Sequence, residues 1–264
     1  MALATRFSLN GERFYRPAAN PEIALPSVTT ILGKTASEHS KKALLSWAAK
    51  NPGAREAAAE RGSAIHAACE AHIRGQRVQI PEEYRPFWRG LAEQLDRFDS
   101  FLWSERPLLP QWRNVVGEDG IARIWSMKHG YAGVPDLIGV RNGVVIMGDF
   151  KTSNGPCSRG CPKGENRKLF TGWSKYKKCA EQLAAYALAA EETLGIHVDC
   201  AQILVSTPEI SQSFLIHGDE LLKHRTSWLQ KVRRYYEMKA EEQEQQAELD
   251  ALAGPCITVT AVAA

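Results

Sequence analysis

Asp149-Phe150-Lys151 closes the apolar run Val144-Val145-Ile146-Met147-Gly148 and lies thirteen residues beyond Pro135-Asp136. Two carboxylates and an amine at strand ends are the equipment for metal-assisted hydrolysis of a phosphodiester. A hard cation such as Mg²⁺ takes oxygen ligands and keeps several waters, so Asp136 and Asp149 could hold it while leaving room for a substrate phosphate. Side chains alternate between the two faces of a strand, which sends Asp149 and Lys151 to one face and Phe150 to the core. Lys151 beside a metal could orient the attacking water or offset charge growing on the phosphate oxygens, while the metal lowers the pKa of that water. Asp-x-Lys also arises by chance at solvated strand ends, so its neighbours decide its meaning.

Those neighbours begin with the elements that must position the acids. Tyr131–Val140 reads as a strand carrying one carboxylate in an apolar stretch, and Arg141-Asn142-Gly143 is a two-residue hairpin signal leading into Val144. Folding about Asn142-Gly143 sets Asp136 opposite Asp149, and two acids that close repel unless a cation joins them. Pro135 cannot donate to a ladder, which implies an edge, a bulge or an irregular spot that a ligand can approach. Two predicted helices add polar pairs at i,i+4 spacing: His66 with Glu70, and Gln182 with Tyr186. Imidazole is a ready metal ligand. Taken singly, His66 reads more often as a satisfied structural residue, and Gln182 and Tyr186 usually as hydrogen-bonded packing.

The order Gly62-x-x-x-His66, Gly133-x-x-Asp136, Asp149-x-Lys151, Gln182-x-x-x-Tyr186 resembles the RecB-like branch of the PD-(D/E)XK nuclease superfamily. The resemblance implies a restriction-endonuclease-like core in which His66, Asp136, Asp149 and the backbone carbonyl of Phe150 hold Mg²⁺ or Mn²⁺. It implies that Lys151 is the catalytic lysine and that Gln182 and Tyr186 help place the DNA strand and that lysine. Glu70 matches an acidic position found in many members. Arg13-Phe14-Tyr15, Leu25–Leu32, Trp47 and the Arg61-Gly62 helix are similar to the N-terminal half of phage-type exonucleases related to the mitochondrial genome maintenance exonuclease. The segment Ser153–Lys178 departs from the family in its length and its Cys and Lys content.

With 264 residues and a net charge of +3, the chain fits one mixed α/β domain, and its charge alone announces no nucleic-acid partner. The expected layout is an N-terminal hairpin and helical region over 1–105, a catalytic core over 106–217 and a C-terminal helix and tail over 218–264. Helices are expected near 38–50, 53–74, 82–104, 174–194 and 218–248, with Ser37 and Ser40 both available as caps for the first of them. Strands are expected near 111–117, 121–128, 131–140, 143–151, 198–206 and 211–217. Ser153–Gly172 reads as a flap.

A basic cluster follows the catalytic strand, and Lys163, Lys168, Trp173, Lys175, Tyr176 and Lys177 interleave cations with aromatics as a single-strand contact would, although a solvated, flexible loop accounts for them about as well. No signal peptide or membrane-length apolar run is evident, so a reduced, cytoplasmic setting in a bacterial or phage-infected cell is expected, with no membrane partner. Cys157, Cys161 and Cys179 could bind structural Zn²⁺ or help hold an iron–sulfur cluster, but free thiols in a loop are the favoured reading, since the closing trio of cysteines in cluster-bearing relatives is missing. The expected function is a metal-dependent exonuclease acting on DNA ends or single strands in replication, recombination or repair, of phage type. The alternatives are an iron–sulfur nuclease of the kind used in CRISPR adaptation and a DNA-binding subunit with a vestigial site.

Overall fold

The computed structural model describes residues 5–161 and 170–253. At the N-terminus, β1 (Arg6–Leu9) and β2 (Glu12–Tyr15) form a hairpin, and β3 (Leu25–Pro26) completes a small three-stranded sheet. Ser27 caps α1 (Val28–Lys34) by accepting a hydrogen bond from the Thr30 N–H at 3.0 Å. Ser37 does the same for α2 (Glu38–Lys50) through the Ser40 N–H, so Ser40 lies inside the helix and is not its cap. Then come α3 (Ala54–Ile73), α4 (Arg85–Leu95), β4 (Ser100–Ser104), β5 (Arg106–Pro107), β6 (Ile124–Ser126) and β7 (Tyr131–Gly133). The chain continues through β8 (Leu137–Arg141), β9 (Val144–Thr152), α5 (Phe170–Leu194), β10 (Cys200–Ser206), β11 (Ser211–His217) and α6 (Gly218–Ala253).

The expected mixed α/β architecture is present: a central mixed sheet flanked by helices, in the order β11-β10-β9-β8-β4-β5, the last strand being only two residues long. Only β9 and β10 run parallel, joined by the crossover that contains α5, and the other pairs are antiparallel. β10 is buried along its whole length, as a strand covered on both faces must be. Period-two alternation divides the core. Ile146 and Phe150 of β9, Leu137 of β8 and Leu204 of β10 pack with Ile65, Cys69, Phe87 and Leu91 of α3 and α4. Met147, Ile138, Ala201 and Ile203 face the opposite layer, which α1, α5 and α6 supply. Asp149 and Lys151 therefore belong to the α5 face of the sheet.

The hairpin about Asn142-Gly143 forms as expected, with Arg141 opposite Val144 and turn φ values of 51° and 75°. Several expected elements differ. Helix 82–104 stops at Leu95, and Ser100–Ser104 is instead the strand β4, paired with β8. Phe87, Leu91 and Leu95 keep helical spacing, but Asp99 is captured by the hairpin: its N–H donates to Val140 O at 2.8 Å, and its Oδ2 accepts from the Asn142 N–H at 2.5 Å. Long-range pairing thus overrides local periodicity there. Residues 110–115 form a 3₁₀ turn, not a strand, with Pro110 at its start. Strand 121–128 shrinks to β6, and strand 131–140 breaks into β7 and β8 at Val134-Pro135-Asp136. Among the described residues, no helix is long and apolar enough to cross a membrane.

Candidate active site

The break between β7 and β8 leaves Asp136 just outside the ladder. Leu137 pairs with Gly148, so the same register carried one step further sets Asp136 beside Asp149, as the turn chemistry predicts. Trp103 Nε1 donates to Pro135 O at 2.9 Å and Phe150 N–H donates to Asp136 Oδ2 at 2.8 Å, which fixes both the irregular backbone and one carboxylate oxygen. Asp136 Oδ1 remains directed at His66, 3.7 Å from its Nδ1. His66 sits on α3, its ring edge-on to Phe150 with centroids 5.7 Å apart.

A third group completes this cluster. Glu105 Oε1 lies 3.1 Å from His66 Nδ1, and ligand atoms of His66, Glu105 and Asp136 all fall within 4.8 Å of one another. Glu105 occupies the tight turn between β4 and β5 with φ of 54°, a left-handed conformation that costs a non-glycine residue about 1 kcal/mol or more. Its N–H donates to Asp136 O at 3.1 Å, so its backbone is tied to Asp136 while its side chain meets His66. Sequence reasoning missed Glu105 because it fell just past the helix expected over 82–104, in the gap before the strand expected from 111, with no motif to single it out. Pro107 keeps this segment out of a helix, but nothing local points to its contacts with His66 and Asp136.

Asp149 is fully buried, and Lys151 Nζ stands 2.5 Å from its Oδ2. Gln182 of α5 bridges inward: its Nε2 donates to Asp149 Oδ1 at 3.2 Å and to Tyr186 OH at 3.1 Å. Gly133 lets Tyr186 approach, since a Cβ there would lie 2.4 Å from the tyrosine ring. The four sequence motifs thus converge on one place. Glu70 does not join the ligand cluster. It pairs with Arg74 at 3.0 Å on its own helix, because one further turn of α3 carries it past Asp136.

The electrostatics follow from burial and crowded charge. Burial pushes Asp149 up to about 6, Asp136 adding to the effect while Lys151 and His66 oppose it. Burial disfavours the His66 cation, but Asp136 and Glu105 outweigh it and raise the group to about 9. Lys151 is likewise penalised by burial, yet Asp149 holds its pKa above the ordinary lysine value. It is therefore an ammonium at neutral pH, a donor and not a base. Two carboxylates and an imidazole gathered around one point fit a divalent cation, the imidazole binding in its neutral form.

The expected DNA-contact segment is only partly described. Lys163 and Lys168 lie outside the described residues. Lys177 is exposed, Trp173 is half-buried, and Lys175 donates to Ser153 Oγ at 2.9 Å. Tyr176 is no stacking platform. It is 2% exposed, its OH donates to Glu220 Oε1 at 2.6 Å and accepts from Arg159, and its ring packs edge-on against Phe214. Position 176 shares the inward face of α5 with Ala180 and Leu183, so the ring goes to the core. Among the described residues the only convergent set of three metal-binding side chains is His66, Glu105 and Asp136. Cys157 and Cys179 are buried thiols, and Cys161, on the surface, forms no such set with them. Burial pushes the Cys179 thiol up to about 12, which keeps it protonated. No protein-family model matches this chain, and no curated protein matches it significantly.

Proposed function

We propose that this chain is a metal-dependent deoxyribonuclease of the RecB-like type, acting on DNA ends or single strands from a cytoplasmic location. The observation that carries the proposal is the meeting of His66, Glu105 and Asp136 beside the pair of buried Asp149 and half-buried Lys151, from four separate segments of chain. His66, Glu105 and Asp136 would hold Mg²⁺ or Mn²⁺, with Asp149 and the Phe150 peptide adjoining. The ion would supply a water of lowered pKa and neutralise phosphate charge.

The protein's own groups do the rest. Lys151, kept cationic by Asp149, offers N–H donors to a phosphate oxygen and stabilises charge as it develops there. Gln182 is a positioning residue: with one amide nitrogen it holds Asp149 and Tyr186 in a fixed relation, and the aspartate in turn orients Lys151. Tyr186 remains a neutral phenol, since burial first, and then Asp136 and Asp149, raise its pKa. Asp136 gives one oxygen to the Phe150 N–H and keeps the other for the cluster.

The test is a cleavage assay on end-labelled linear, circular and single-stranded DNA with Mg²⁺, Mn²⁺ and EDTA. Cleavage should need the metal and disappear in Asp136→Asn, Glu105→Gln and Lys151→Met while the circular dichroism stays unchanged. Survival of circular substrate would mark dependence on ends. Metal-independent cleavage, or full activity in Lys151→Met, would overturn the proposal.

A further inference from the structure

Beside the metal-ligand cluster, a cavity of about 470 Å³ opens between the N-terminal sheet and the β4–β5 turn. Arg6 and Tyr15 of the small sheet form one wall, Ile121 and Val134 another, and Glu105 and Arg106 close the side toward the cluster. Val134 lies two residues before Asp136, and Glu105 is itself in the cluster, so the cavity is continuous with the proposed site.

Its charges are unequally satisfied. Three acids line it: Glu70 and Asp119 already pair with Arg74 and Arg123, and Glu105 turns its carboxylate to His66 in the ligand cluster. The two arginines of the lining are not so engaged. Arg6 is exposed and has no partner among the described residues, while Arg106 meets only Glu70, at 3.9 Å, with 61% of its side chain exposed. The uncommitted charge of the cavity is therefore positive, and guanidinium groups suit bidentate binding of phosphate. The apolar wall of Tyr15, Ile121 and Val134 suits a flat, mostly apolar body. The volume falls within the range of about 300–1,000 Å³ for a small-ligand site, which is too little for a duplex.

We infer that this cavity binds one deoxynucleoside monophosphate unit, with Arg6 and Arg106 on its phosphate, next to the bond that the cluster would cleave. The unit is either the terminus of the strand or the mononucleotide released from it. The inference rests on the nuclease proposal for its substrate class, and it gives the N-terminal hairpin a function in binding.

Calorimetric binding in EDTA separates the two ideas, because it needs no metal and no turnover. Deoxyadenosine monophosphate should bind about tenfold or more tightly than deoxyadenosine. The double variant Arg6→Gln/Arg106→Gln should lose that advantage while binding Mn²⁺ as the parent does. Ile121→Trp, which fills the cavity and keeps both arginines, should weaken the nucleotide in a protein of unchanged thermal stability. Competition by a short oligonucleotide with a terminal phosphate assigns the cavity to strand ends, and its absence assigns it to released product; either supports the inference. Equal binding of nucleotide and nucleoside, or nucleotide binding unaltered in both variants, would overturn it. Metal-dependent cleavage surviving such a result leaves the nuclease proposal standing. Nucleotide binding without any cleavage overturns only the latter.

Discussion

Loading of the site with a divalent ion should expel a proton from His66. In the metal-free protein Asp136 and Glu105 raise this imidazole to about 9, whereas a metal ligand must be neutral. At pH 7 the ring is two units below its pKa and almost fully charged, so binding of Mn²⁺ should release close to one proton per site. The sign follows directly. Protons compete with the metal below pH 9, so apparent affinity should rise about tenfold per pH unit from about pH 6.5 to 8.5 and level off above 9. Below pH 6 the dependence should steepen further where Asp149, raised to about 6 by burial, also takes up a proton. Isothermal titration of Mn²⁺ at pH 7 in two buffers of different ionisation enthalpy measures the released proton directly. His66→Gln should bind more weakly at pH 9 and show no pH dependence between 6.5 and 8.5. Enthalpies independent of buffer, or the same slope in His66→Gln, would refute the placement of His66 in the ligand set.

Four further outcomes are expected. Lys151→Met leaves Asp149 buried without its cation, which should cost about 3–5 kcal/mol, and the double variant Lys151→Met/Asp149→Asn should recover most of that in chemical denaturation. Glu105→Gln should lower Mn²⁺ affinity by tenfold or more while the melting temperature changes little; unchanged affinity would remove Glu105 from the ligand set. Gly133→Ala forces a methyl to within 2.4 Å of the Tyr186 ring and should cost about 1–3 kcal/mol, read as a lower melting temperature. Tyr176→Phe removes the hydrogen bonds with Glu220 and Arg159 and should cost about 1 kcal/mol while leaving single-strand affinity unaltered, whereas a stacking tyrosine would lose affinity.

What the sequence made legible is what local chemistry determines. Asn142-Gly143 accepts positive φ at both turn positions, so the β8–β9 hairpin and its register follow from two residues, and with them the placing of Asp136 beside Asp149. Strand alternation then fixes Lys151 on the face of Asp149, and 3.6-residue periodicity brings Gln182 and Tyr186 together on α5. β11 begins and ends where alternation predicts. By contrast, β4 owes its form to partners 33 to 40 residues away on β8, from Ser104 with Leu137 to Ser100 with Val140, which no local window contains. The same holds for Tyr176, whose aromatic character and basic neighbours suggest a surface contact until the packing of β11 and α6 over it is known.

Glu105 shows how this blindness bears on chemistry. Glu105 and Arg106 follow one another in the two-strand turn and line the same cavity, but only Glu105 also meets His66 and Asp136. The left-handed φ of Glu105 is unfavourable to any residue but glycine, asparagine or aspartate, and the turn gains nothing from a glutamate in that position. Its carboxylate instead meets His66 from α3, and its N–H meets the Asp136 carbonyl, so the cost of the conformation is offset only where those two segments are already in place. Glu105 thus keeps a left-handed conformation through contacts that lie at the candidate site, to His66 and to the Asp136 carbonyl. The His66 and Asp136 motifs locate the cluster, and Glu105 reaches it only through the long-range pairing that forms the β4–β5 turn.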